Sequence, residues 1–599
     1  MAAATCALGV ACARAAPGPP APPDAALERV PAIVSGPLAA KIDDLLRRAS
    51  AFGFNGQVLV EKDDALILNQ AYGFADHASG RKMTPETPVG IASMSKQFVA
   101  AAVLALEDDG RVDVRDRVGD LVPGLEPPLA DATLHELLTH TAGLRSGDPF
   151  GDFEASSRAA MLERIARWPV LEPRGEWRYA NVGYNLLAEV IERASRVPYE
   201  AFLAQRLFAR AGMSHTGFWH EPPTTPEPPS HAYRGWYDTG SPETWPENQR
   251  VRGAGDILST AADLYRWHLA LRSGAVLDPA TARRAANPQA AIDEGGNLWY
   301  GYGLFVAVEE DGDTLIEHGG DWQGGFNGVT FLRPADRVLI VITSNGRDGD
   351  GQWLRHAVQR EVDLLATGTE PEEEGPPPSE PLSDERARAL PGVYELEGGG
   401  RLVLEWDGSR MWLHPRGDPA AALLRAGRTD VDSAALRAGA RTEALLAGIA
   451  AGEGEEAYRA ALSEDGAPHF DDYWSEWRGV EARHGPLRGH EIIGSDPLVG
   501  GARTVHVELL LERRSVPMTF FWGDAGRGRL AGTFVRDAPN MEPLLVGMVV
   551  RADPDGGLVA HDTFRGRTLR FRFDDPAGLA FSTANGLVEA RRAGGGDFR

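Results

Sequence analysis

The stretch Ile91-Ala92-Ser93-Met94-Ser95-Lys96-Gln97-Phe98 runs straight into Val99-Ala100-Ala101-Ala102-Val103-Leu104-Ala105-Leu106-Glu107 and meets no glycine or proline before Gly110. That pattern predicts a helix from Ser93 to about Asp108. Residues three apart on a helix share a face, with β-carbons about 5–6 Å apart. Ser93 and Lys96 then stand side by side, with Ser93 at the helix start, where unpaired N–H groups point outward. A serine hydroxyl needs a partner to remove its proton. A desolvated lysine can do so, because burial lowers the ammonium pKa. Ser-x-x-Lys is therefore a nucleophile–base pair. The chain has four lysines, Lys41, Lys62, Lys82 and Lys96, against 57 arginines, so a lysine inside such a motif carries weight. Ser79-Gly80-Arg81-Lys82 repeats the spacing, but in a charged turn with no helix to set its geometry.

Two further clusters carry chemistry. Tyr179-Ala180-Asn181 precedes the amphipathic pattern Leu186, Leu187, Val190, Ile191. In extended backbone, residues two apart face the same way, so a phenol and an amide enter one cleft. The phenol relays protons and the amide binds a carbonyl or fixes the lysine. Glu317-His318-Gly319-Gly320-Asp321 ends a predicted strand, and its two glycines let a substrate approach the backbone. The N–H groups of Asp321 and Ser93 form a candidate oxyanion hole. Taken singly, Tyr179 reads as a half-buried surface aromatic and His-Gly-Gly as a tight turn.

Strands are predicted at both ends of the first half, with helices between. Gly56–Val60 and Ala65–Leu68 flank a charged turn; Tyr302–Val308, Thr314–His318, Gly328–Leu332 and Val338–Thr343 follow after the helical middle, and Trp353–Ala366 reads as a closing helix. One antiparallel sheet must collect strands from both ends, flanked by helices, giving an α+β domain over 36–368. An acidic, proline-rich linker, 369–384, excludes packed structure by composition. The region 385–599 is a β-rich C-terminal module: Leu402/Leu404/Trp406, Val505/Val507/Leu509/Leu511 and Leu569/Phe571/Phe573 alternate with polar residues, and Asp407-Gly408 offers a hairpin turn. Alanine-rich 434–462 reads as helical, so an α+β insertion at about 430–545 splits a small barrel. Trp474, Trp477 and Trp522 read as core aromatics ahead of a ligand platform.

At 599 residues the chain has room for several domains, and 43% hydrophobic residues supply their cores. A net charge of −25 argues against a nucleic-acid or anionic-membrane partner, and no apolar run is long enough to span a bilayer. Residues 1–35 read as a signal-peptide-like segment, cleaved near Ala15, followed by a proline-rich linker; this implies an extracellular or periplasmic location, although the usual basic start is missing. Both cysteines, Cys6 and Cys12, lie in that segment, so the body has no disulfide, thiol nucleophile or cysteine zinc site. His135 and His140 are five apart, not the four of a zinc helix; Gly253-x-Gly255 lacks a third glycine, and there is no Gly-x-Ser-x-Gly elbow. Neither metal nor cofactor is expected.

The constellation Ser93/Lys96, Tyr179/Asn181, His318/Gly319/Gly320, in this order, resembles the serine β-lactamase and penicillin-binding family, in its class C-like branch. The flanks Leu137-Leu138-Thr139-His140-Thr141-Ala142-Gly143-Leu144 and Gly253-Ala254-Gly255-Asp256-Ile257-Leu258-Ser259-Thr260 look like that family too. The resemblance covers roughly residues 40–365. It implies a β-lactamase/transpeptidase-like fold and a serine hydrolase working through a Ser93 acyl-enzyme. Lys96 or Tyr179 acts as base, and Asn181, His318, Gly319, Gly320 and Asp321 bind the substrate. One departure matters: His318 stands where β-lactamases proper keep a lysine for the substrate carboxylate. A histidine is only partly charged near neutral pH, which favours small esters, amides or D-amino-acid peptides as substrates. A D,D-carboxypeptidase or β-lactamase acting on cell-wall-type substrates is the alternative. A non-catalytic scaffold or sensor is a third reading, against which the intact Ser93, Lys96 and Tyr179 set argues.

Overall fold

In this computed structural model the strand Val338–Ser344 is buried from end to end, and its side chains alternate between two cores. Val338, Ile340 and Ile342 pack under the helices Gly36–Ala51 and Leu354–Ala366, while Leu339 and Val341 face the helix Lys96–Asp108 and its neighbours. A strand covered on both faces reads as an unbroken apolar run, as this one does. It is an inner strand of a nine-stranded sheet ordered Ile33–Val34, Ala65–Tyr72, Gly56–Lys62, Val338–Ser344, Asn327–Arg333, Thr314–Asp321, Phe305–Val308, Leu298–Tyr300, Ala290–Ala291. Pairing of Val58 with Ile342 and of Leu59 with Val341 joins the N-terminal hairpin to the later strands, so both ends of the first half build one antiparallel sheet.

The structure describes residues 30–593 except 148–149, 151–153, 172–173, 235–236, 294, 310–311, 323, 348–353, 372–374, 398, 407–409, 427–430, 432, 463–469, 498–501, 524–528, 536–547, 563–566, 576–577 and 584–585. The signal-peptide and proline-rich readings of 1–29, Cys6, Cys12 and the Asp407-Gly408 turn lie outside the described residues. No helix among the described residues is long and apolar enough to cross a membrane.

The C-terminal region contains a closed eight-stranded barrel. Gly392–Leu396, Arg401–Trp406 and Met411–Arg416 are joined by Met548–Ala552, Leu558–Asp562, Arg567–Asp575, Gly578–Thr583 and Gly586–Arg592, and the pairing of Tyr394 with Arg592 closes the ring. Between Arg416 and Met548 the chain builds helices and a separate four-stranded sheet, Leu487–Pro497, Arg503–Leu511, Ser515–Trp522 and Leu530–Val535. Trp477 and Trp522 are buried in the core of that excursion, with Trp474 packed against it.

The linker differs from the reading of its composition. Among its described residues it forms no helix or regular strand before Asp384, yet Pro376 and Pro377 are buried and Gly375 meets Leu45. The Arg48 guanidinium donates to the Pro376 carbonyl. Proline rings need no N–H partner, so an extended proline segment can lie on a helix without leaving a buried donor unpaired. The two halves also touch through Phe52, Trp412, Val549 and Val559.

Candidate active site

Ser93 does not lie in the α-helix itself. Ala92–Ser95 form a turn of 3₁₀-helix, and the α-helix begins at Lys96. In a 3₁₀ turn, side chains at i and i+3 eclipse, which brings the pair closer than an α-helix would. Lys96 Nζ donates to Ser93 Oγ at 3.0 Å. The turn is entered through Ala92 at φ +45°, a left-handed conformation costly for a residue with a β-carbon, so the surroundings must hold it. Ile91 N–H donates to the Ile257 carbonyl, and Ser95 Oγ accepts from Ile257 N–H at 3.3 Å; Ser95 is thus a brace. Ser93 itself is partly exposed.

Lys96 is fully buried and also donates to the Ala254 carbonyl at 2.7 Å. Its Nζ lies 4.9 Å from the Tyr179 ring centre and 5.5 Å from that of Tyr184. The Ala254 loop can reach it because Gly253, at φ +77°, has no β-carbon; one would sit 2.6 Å from the Tyr184 carbonyl. Asp256 closes the same loop, accepting from Gly253 N–H at 3.2 Å. Burial, helped by the nearby Glu200 charge, pushes its carboxyl up to about 7 against the pull of Arg252.

Tyr179 is half-buried just ahead of the helix Asn181–Ser195, which Asn181 opens. The Tyr179 ring packs 4.3 Å from His140 and 6.5 Å from His318, centre to centre. His140 accepts the Ala180 N–H at Nδ1, 3.2 Å, which fixes the backbone between Tyr179 and Asn181. Burial, with the Lys96 charge and His318 adding to it, holds His140 well below the ordinary imidazole range.

His318 is buried and uses both nitrogens. Nδ1 lies 2.6 Å from the Gly319 carbonyl, which only accepts, so Nδ1 carries the proton and Nε2 accepts from Tyr300 Oη at 3.0 Å. Burial and the Lys96 charge push its pKa down to about 3, so the ring is neutral near pH 7. Gly320 packs on the turn that carries Ser93: a β-carbon there would lie 2.0 Å from the Ile91 carbonyl. The strand Thr314–Asp321 pairs with Asn327–Arg333 through Asp321, but with Phe305–Val308 only through Glu317. His318–Asp321 therefore present one unpaired edge. Trp322 N–H donates to the Phe326 carbonyl, so by antiparallel alternation the Asp321 N–H turns to that edge. The Asp321 carboxylate is held away by a two-pronged pair with Arg355, at 2.9 and 3.2 Å.

The structure thus gathers Ser93, Lys96, Tyr179 and the His318–Asp321 edge around one region. It adds His140, Tyr184, Tyr300 and the Ala254 carbonyl, which the sequence reading had not singled out. His140 and Ala254 lay inside the family-like flanks, and Tyr184 lies one helical turn after Asn181. Tyr300 had no local signal. Among the described residues, Asp76, His231 and Asp238 are the one group of carboxylates and histidine with atoms close enough to share a metal ion.

A serine hydroxyl in contact with a buried lysine, beside an unpaired strand edge, has the groups that serine acyl transfer requires. A sequence profile of the Beta-lactamase family matches residues 39–362, over half the chain, and the chain belongs to that family. It is a serine hydrolase of the β-lactamase/transpeptidase-like fold. The chain is 25% identical to penicillin-binding protein 4* of Bacillus subtilis (strain 168), over 63% of this chain and 87% of that one. It is 28% identical to a D-aminopeptidase of Brucella anthropi, over 45% of this chain and 52% of the relative, so about half of that enzyme is spanned. Among solved structures, the D-amino acid amidase from Ochrobactrum anthropi SV3 complexed with D-phenylalanine is 22% identical; the match covers 55% of this chain and 98% of that one, at a TM-score of 0.47.

Proposed function

We propose that the protein hydrolyses small esters, amides or D-amino-acid peptides through an acyl-enzyme on Ser93. The observation that carries this reading is the 3.0 Å contact between Lys96 Nζ and Ser93 Oγ, made by a lysine with no solvent access. Ser93 Oγ attacks the carbonyl carbon and its proton passes to the neutral amine of Lys96, directly or by way of Tyr179. The carbonyl oxygen becomes an oxyanion held by the N–H groups of Ser93 and Asp321. Collapse expels the alcohol or amine, which takes up a proton from Lys96 or Tyr179. Water then attacks the ester at Ser93, with the same groups acting as base, and releases the acid. Asn181 orients the substrate, and Gly319 and Gly320 let it lie against the strand.

His318 supports this substrate class. A neutral ring with both nitrogens engaged offers no cation to a substrate carboxylate, which weakens the β-lactam and D,D-carboxypeptidase alternative. The D-aminopeptidase relative points to D-amino-acid substrates. Penicillin-binding protein 4* keeps cell-wall-type substrates as the second reading. An extracellular or periplasmic location belongs to this proposal and fits either substrate.

The test is intact mass and peptide mapping after a fluorophosphonate probe, on wild type and Ser93→Ala. One adduct on Ser93, absent from the variant, is expected. No adduct on folded protein would make the scaffold reading the better one. A panel of a p-nitrophenyl ester, a D-alanine amide and a penicillin then separates the substrate classes, the first two being turned over faster.

A further inference from the structure

Behind the candidate active site lies a cavity of about 340 Å³. That is within the range of small-molecule sites. Ala101, Leu264, Leu271, Leu277, Leu332 and Leu339 supply its apolar wall. Polar residues interrupt that wall, His268 and Thr330 among them. His268 Nε2 and Thr330 Oγ1 are shielded from solvent, and neither has a hydrogen-bond partner. A buried donor or acceptor left unpaired is destabilising, so such a pair in a roomy pocket points to an occupant that supplies the bond. Burial lowers His268 to about 4, so it too is neutral near pH 7.

The cavity touches the catalytic elements from behind without being part of the cleft. Gln97, the residue after Lys96, lines it and accepts from Trp267 Nε1 at 2.9 Å. Thr330 is the cross-strand partner of His318. Ser93, Lys96 and Tyr179 do not line it. Arg283 lines the cavity and is exposed, which sets it at the mouth, and it forms no ion pair among the described residues.

We propose that this cavity is a binding site for an uncharged small amphiphile: an apolar body carrying one hydroxyl or carbonyl group that pairs with Thr330 or His268. The head is uncharged because Thr330 and His268 are neutral and the Arg272 guanidinium, which also lines the cavity, is already paired with Glu61 and Asp64; a buried charge with only neutral partners is costly. The Arg283 guanidinium is solvated and adds little to an anion's binding.

Three probes share one body and differ in the head: para-propylphenol, para-propylbenzoate and propylbenzene. Calorimetry on the full chain should give saturable one-site binding of para-propylphenol. It should be retained when Ser93 has been labelled with fluorophosphonate. The other two probes should bind at least about fivefold more weakly, the loss expected for one hydrogen bond. Ala282→Trp, which fills the cavity, should weaken binding at least about tenfold. Thr330→Val should weaken it about two- to fivefold while leaving the fold intact, since it removes an unpaired hydroxyl; it carries the test if Ala282→Trp does not fold. Absence of saturable binding overturns the proposal. So does binding that persists unchanged in both variants, or that is lost when Ser93 is labelled. Equal or tighter binding of the benzoate overturns the uncharged head, and equal binding of propylbenzene overturns the role of the two polar atoms.

Discussion

The nine-stranded sheet and the eight-stranded barrel are both antiparallel, but they treat their edges in opposite ways. The barrel closes on itself through Tyr394 and Arg592 and leaves no edge in its ring. In the sheet, Phe305–Val308 stops at its pairing with Glu317, while Thr314–Asp321 runs four residues further, to Asp321. Those four residues are among the ones proposed to bind the substrate. An open sheet can leave main-chain donors unpaired where a nucleophile packs beside them; a closed ring uses them up. The candidate site and the polar network around Lys96 therefore belong to the first half, whereas the aromatic clusters of the second half are packed as core.

The sharpest way to break this comparison is at Ser93, the proposed nucleophile. Ser93→Ala should lower kcat on any ester substrate at least about a thousandfold with unchanged far-UV circular dichroism. Residual turnover near wild type would put the site elsewhere. Gly320→Ala sharpens the role of the strand edge. A β-carbon 2.0 Å from the Ile91 carbonyl must push strand and turn apart, and a displacement of that order should cost about a hundredfold in kcat. Wild-type kinetics would show that the contact does not position Ser93.

Trp477→Ala tests the second half. Loss of a fully buried indole should destabilise the excursion by about 3–5 kcal/mol in denaturant unfolding. The kcat of the folded enzyme should stay within about twofold, the size of a change without active-site contact. A large kcat loss would tie the excursion to the cleft.

Asp256 gives a pH-dependent difference within the first half. Its folded pKa of about 7 lies above the ordinary value of 3.8, so the folded state holds the proton more tightly. Its contribution falls as pH rises from about 4 to 7, by a few kcal/mol at most. Asp256→Asn should remove that slope. His318, lowered from 6.5 to about 3, works in the other sense, costing stability as pH falls through that window. Wild type and variant must therefore be compared at each pH. Identical pH–stability curves would mean that Asp256 is charged in the folded protein. The smallest effect is expected at the junction of the halves. Phe52→Ala opens the patch with Trp412, Val549 and Val559, and should separate one thermal transition into two while changing kcat/KM by less than about twofold. A single unchanged transition would mean that other contacts couple the halves.

Much of this was decided by local sequence. The run after Ser93 is helical because it offers ten apolar or alanine residues with no breaker, and Ser-x-x-Lys spacing puts two side chains together in either a 3₁₀ or an α turn. The alternation of Leu402, Leu404 and Trp406, and of Leu569 and Phe571, announces strands because period two is what a half-buried strand requires. Other features depend on residues far apart in the chain. The positive φ at Ala92 is sustained by Ile257 and Gly255; Lys96 is held by a carbonyl 158 residues away. The neutrality of His318 comes from burial and from the Lys96 charge, and its Nε2 accepts from Tyr300, eighteen residues distant and on another strand. Proline composition suggested an unpacked linker, yet Pro376 and Pro377 are buried where the first helix offers them a surface. Periodicity and spacing are properties of neighbouring residues and can be read in one dimension. Burial, strand-edge exposure and proton affinity depend on what the rest of the chain brings close, and only the tertiary structure supplies that.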